Sequence, residues 1–149
     1  MQVLPTTQLH LPELTHVAAM LKSRGRLEES FGGLAYLNVD DAYIHQLFPL
    51  LHVPGVQKPN YFGRGSIGAH ISVTYPEEGI IIHQKDRGQE YDFNLTGVFT
   101  SELKNRRYYI LHVESPALLA LRERYGLSKN PQFAGYWVNL HITIGIFPL

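Results

Sequence analysis

Ala69-His70-Ile71-Ser72-Val73-Thr74-Tyr75 reads as a strand, and Val138-Asn139-Leu140-His141-Ile142-Thr143-Ile144 echoes it 141 − 70 = 71 positions later. Each core tetrad is histidine, apolar, hydroxyl, apolar. In extended backbone alternate side chains share a face, so His70 and Ser72 point one way and Ile71 and Val73 the other. The same holds for His141 and Thr143 against Ile142 and Ile144. Each segment is thus expected to be a strand with an apolar back, presenting an imidazole and a hydroxyl. Side by side, the two strands would line one cleft with two of each. Of the eight histidines, His10, His16, His45, His52, His83 and His112 lack the pattern and are read as structural or surface residues.

Composition bounds the possibilities. A chain of 149 residues can bury a substantial core and fits one domain, residues 1–149. Cysteine is absent, which excludes disulfides, thiolate nucleophiles and zinc–thiolate sites. No run approaches membrane-spanning length, and Met1-Gln2-Val3-Leu4-Pro5 lacks the features of a signal peptide. A cytoplasmic protein without a membrane partner, monomeric by default, is the resulting expectation. Thirteen basic residues balance thirteen acidic ones. Grip on long duplex nucleic acid comes largely from phosphate neutralisation. Even charge therefore points to a small nucleotide or short RNA rather than a long duplex.

Around the two segments, apolar spacing predicts a helix from Glu13 to Arg24 and a strand from Gly33 to Val39. Asp40 should cap a second helix carrying Tyr43, Ile44, Leu47, Phe48 and Leu51, with Pro49 kinking or shortening it. A Gly- and Pro-rich loop from His52 to Gly68 leads into the first motif strand. Ile80 to His83 reads as a short strand. Tyr91–Leu103 and Arg106–Glu114 read as a hairpin about Lys104-Asn105. Ser115 and Pro116 should open a helix that Gly126 stops. The order strand, helix, motif strand is followed by strand pair, helix, motif strand. The expected class is α+β, with two pseudo-symmetric lobes of antiparallel-rich sheet and flanking helices around a central cleft.

Paired imidazoles suit acid–base work on a phosphodiester. One neutral ring accepts a proton from the attacking oxygen while one charged ring gives a proton to the leaving oxygen. The Ser72 and Thr143 hydroxyls would donate to nonbridging oxygens. No carboxylate lies within the motifs to hint at a metal, and no cofactor is expected. Gly63-Arg64-Gly65-Ser66-Ile67-Gly68 matches the dinucleotide-binding glycine pattern by letter. It lies between a loop and a strand rather than between a strand and a helix, so it is read as a loop able to bend over the cleft.

These residues resemble the 2H phosphoesterase superfamily, which carries a His-x-Ser/Thr motif on equivalent strands of two similar lobes. The resemblance implies that His70 and His141 are catalytic and that Ser72 and Thr143 bind phosphate. It implies a metal-independent phosphodiesterase acting on a nucleotide or RNA end: a 2′,3′-cyclic phosphate, a 2′-5′ linkage or a cyclic oligonucleotide. An RNA-end ligase, or a nucleotide-binding module without turnover, is the alternative on the same scaffold. Tyr61, Phe62 and Arg64, just before the first motif, suit base stacking and phosphate pairing. Tyr75 after it, and Trp137 before the second, are further candidates for substrate contact. Of Arg106 and Arg107, which alternate along a strand, only one can face the substrate.

Overall fold

The computed structural model describes residues 1–149. The first strands are short: β1 (Gln2–Val3) and β2 (Thr7–Leu9), followed by helix α1 (Pro12–Ala18). Next come β3 (Arg24–Glu29), β4 (Ala35–Asn38), helix α2 (Ala42–His45) and the first motif strand, β5 (His70–Thr74). β6 (Glu90–Asp92), β7 (Asn94–Leu103), β8 (Arg106–Glu114) and helix α3 (Pro116–Arg124) follow. The chain closes with β9 (Gln132–Phe133), β10 (Tyr136–Trp137) and the second motif strand, β11 (His141–Pro148).

Eight strands form an antiparallel sheet in the order β2-β7-β8-β11-β5-β4-β3-β6, so the class is α+β. The two motif strands are central neighbours, with three further strands outside each. Their own ladder is a single pair, Ile71 with Ile142, whereas β7 and β8 pair nine times. A second sheet, β1-β10-β9, stands apart from the first. No helix is long and apolar enough to cross a membrane.

One face of the large sheet is apolar. Ile71, Val73, Ile142, Ile144, Leu111 and Leu37 are at most 2% exposed. They join Leu14 and Ala18 of α1, Tyr43 and Ile44 of α2, and Leu118 and Leu121 of α3 in one cluster of 24 buried residues. Burying a side chain of this size stabilises the fold by about 1.5–3 kcal/mol. That core fixes the strand register, because a one-residue slip would turn the histidines inward and the isoleucines out.

Several local expectations are met and several shift. Lys104 and Asn105 both adopt positive φ, 52° and 63°, as a two-residue hairpin turn requires. Ser115 caps α3, its Oγ accepting from Leu118 N at 3.1 Å. The first helix, however, ends at Ala18, and Arg24 already belongs to β3, paired with Asp92 of β6. The second helix is broken: α2 stops at His45 and Phe48–Leu50 forms a separate 3₁₀ turn around Pro49. Ile80–His83 is not a strand; no neighbour pairs with it, and Ile81 is exposed while His83 N donates to the Tyr125 hydroxyl. The expected strand from Tyr91 divides into the end of β6 and β7, with Phe93 buried between them.

Candidate active site

The single Ile71–Ile142 pair determines what stands on the other face. Continuing that antiparallel register by one residue each way sets His70 opposite Thr143 and Ser72 opposite His141. Side chains directly opposite lie about 4.5–5.5 Å apart at Cβ, and diagonal neighbours about 7–8 Å. The imidazoles thus occupy one diagonal of a square and the hydroxyls the other. All four side chains line one cavity of about 240 Å³.

Both rings are held alike. His70 Nδ1 meets the Gly68 carbonyl at 2.8 Å, and His141 Nδ1 meets the Asn139 carbonyl at 2.7 Å. A carbonyl only accepts, so in each ring Nδ1 is the donor and the neutral tautomer leaves Nε2 bare. Burial pushes both histidines below their ordinary pKa, partly opposed by these carbonyls, and a charge on His70 lowers His141 further. A proton on one ring therefore opposes a proton on the other.

The carbonyls are themselves positioned. Gly68 has φ +71°, and a Cβ there would sit 2.5 Å from Asp41 Oδ1. That same oxygen accepts from Ala69 N at 3.0 Å. Only glycine lets the chain turn so closely past Asp41 before the motif begins. On the second motif, Asn139 Oδ1 accepts from Asn130 Nδ2 at 3.1 Å, and the Asn130 carbonyl accepts from Arg122. Arg122 is wholly buried, pairs with Glu78 at 2.7 Å, and donates to the Val73 carbonyl of β5 at 2.7 Å. Glu78 in turn accepts from Tyr75 N. One buried guanidinium thus ties α3 to β5 directly and, through Asn130, to Asn139 just ahead of β11.

Aromatic residues wall the cavity. Tyr61 packs beside His70 with ring centroids 5.0 Å apart, and Tyr75 lies 4.7 Å from Phe133 of β9. Burial raises the pKa of both tyrosines, opposed in part by the nearby Thr143 hydroxyl at Tyr61 and by the nearby Ser72 hydroxyl at Tyr75. Each motif hydroxyl therefore has a tyrosine beside it.

Phe62, Arg64 and Trp137 do not line the cavity. Phe62 turns away from its neighbour Tyr61 to pack against His45 at 4.4 Å, under the Lys58 ammonium. Arg64 is exposed in the glycine loop and makes no ion pair. Trp137 pairs with Val3 and Gln132 in the small sheet, while the next residue, Val138, faces the cavity. Arg107 pairs with Glu102 and lies over Phe147, whereas Arg106 is close enough to Tyr61 to lower its pKa.

Sequence reasoning missed the wall built by β7 and β8. Ser101 and Leu103 on β7, and Tyr108, Ile110 and His112 on β8, all line the cavity. Alternation along β8 would have grouped these three residues, but only the register with β11, which pairs His112 with His141, places them at the site. No three His, Asp or Glu side chains converge as a metal-binding group would require.

No curated protein and no solved structure matches the chain. The family model described as Swiss Army Knife, 2H phosphoesterase domain matches residues 35–148, from the first residue of β4 to the last of β11, and the chain belongs to that 2H phosphoesterase family.

Proposed function

We propose that the protein is a metal-independent phosphodiesterase acting on a nucleotide or RNA end. The observation that carries this reading is the matched presentation of two imidazoles, each with Nδ1 tied to a carbonyl and Nε2 free, on one cavity. With the phosphate across the diagonal, one neutral ring takes the proton from the attacking oxygen. The other, protonated, gives its proton to the leaving oxygen. Mutual opposition to double protonation means that the pair holds at most one proton at a time. Ser72 and Thr143, on the other diagonal, donate to nonbridging oxygens as charge builds. Tyr61, Tyr75 and Phe133 offer faces for a base. Phe62, Arg64 and Trp137 have no role in this scheme.

The test is product analysis after incubation with 2′,3′-cyclic nucleotides, a 2′-5′ dinucleotide and a cyclic dinucleotide, all in excess EDTA. Turnover of at least one is expected, with a phosphomonoester or linear product. Tight binding without cleavage of any would favour the binding-module alternative, and joined RNA ends would favour a ligase.

A further inference from the structure

His112 is a third histidine on the cavity, and the mechanism above leaves it unused. It stands beside His141 across the β8–β11 ladder, on the side away from Ser72. Its ring stacks on Phe99 at 4.0 Å and 20°. The side chain that would stand across from it on β7 is missing, because that residue is Gly97; a Cβ there would sit 3.0 Å from the Phe99 ring. The imidazole is therefore fixed in orientation by stacking. The residue is only 9% exposed, yet neither ring nitrogen has a hydrogen-bond partner in the protein; the side-chain bond at this position runs from the Thr96 hydroxyl to the His112 carbonyl. His112 lines the cavity, so its ring nitrogens are open to a group bound there.

The neighbourhood extends in the same direction. His112 and Asn139 line both this cavity and a second one of about 440 Å³. Asn139 spends its side-chain oxygen on Asn130, while its amide nitrogen has no protein partner. Whatever is attached to phosphorus on the His141 side would meet these two groups first.

We propose that His112 contacts substrate directly, hydrogen-bonding an uncharged group, a sugar hydroxyl or a base edge, carried next to the phosphate on the His141 side. This rests on the paired-histidine reading above. A neutral imidazole has one donor and one acceptor, which matches either group. Burial, and then a charge on His141, holds the His112 pKa down to about 4. The ring is thus neutral near pH 7 and unsuited to pairing with the phosphate itself.

The experiment is calorimetric binding of adenosine 3′-phosphate, ribose 3-phosphate and inorganic phosphate to wild type, His112→Phe and His112→Gln. Phe keeps the stack on Phe99; Gln restores hydrogen bonding. His112→Phe should weaken adenosine 3′-phosphate about tenfold, Gln should recover part of that loss, and inorganic phosphate should bind all three alike. An equal loss with ribose 3-phosphate assigns the contact to a hydroxyl, and a loss confined to the nucleotide assigns it to the base. Unchanged nucleotide affinity in His112→Phe overturns the role of His112 alone, as does an equal loss for inorganic phosphate. A folded wild type that binds no nucleotide overturns the phosphodiesterase reading together with it.

Discussion

His70 and His141 donate from Nδ1 to the carbonyl two residues before each of them, Gly68 at 2.8 Å and Asn139 at 2.7 Å. The repeat seen in the sequence therefore includes ring orientation and tautomer as well as residue type. What differs is the support behind each carbonyl: a glycine turn against Asp41 on one side, an asparagine relay to Arg122 on the other.

The glycine turn should be intolerant of a side chain. Gly68→Ala places a methyl 2.5 Å from Asp41 Oδ1 at a positive φ. It should cost about 1–3 kcal/mol in stability and reduce turnover further by moving the carbonyl that aims His70. Chemical denaturation and initial rates measure the two effects separately. Wild-type stability in this variant would show that the turn is not under the stated constraint.

The buried pair behind His141 should be among the most sensitive positions. Arg122→Met leaves Glu78 charged and without its partner, a loss of about 3–5 kcal/mol. Adding Glu78→Gln should return part of it, because the stranded charge is then gone. Urea unfolding of the single and double variants checks this, and a single-variant loss under about 1 kcal/mol would mean that the pair behaves as a surface bridge.

Acid should weaken the fold through His112. Its pKa is near 4 in the folded protein and about 6.5 when unfolded. Between these values the unfolded chain binds a proton that the folded chain refuses. The contribution of neutral His112 is therefore complete above pH 6.5 and is lost as pH falls toward 4. Its share of the slope approaches about 1.4 kcal/mol per pH unit. Unfolding free energies of wild type and His112→Phe, compared from pH 7 to 4.5, should diverge in slope by about that amount; parallel curves would contradict it.

What could be read in advance was whatever depends on local pattern. The motif strands declared themselves by period-two alternation, α3 by Ser115-Pro116 and Gly126, and the β7–β8 hairpin by its turn at Lys104-Asn105. β3 carries little local signal, because Arg24-Gly25-Arg26-Leu27-Glu28-Glu29 has a single large apolar residue, Leu27, and is held in place by its neighbours β4 and β6. Apolar spacing continues past the end of the first helix at Ala18, whereas pairing with β6 claims the chain from Arg24. At the site, the two motifs were visible and the wall opposite was not. Whether His112 lies beside His141 is a matter of register between β8 and β11, which local pattern does not encode. Nor does alternation say which of Tyr61 and Phe62 faces the cavity; in a loop that depends on the neighbours each finds.

The most direct test of paired-histidine chemistry is kcat on a cleaved phosphodiester for His70→Ala, His141→Ala and the double variant, each shown to be folded. Each single replacement should lower kcat by about 10²–10⁴-fold, and the double should lose little more than the worse single, because the two rings act as one unit. Near-normal turnover by either single variant would contradict the account.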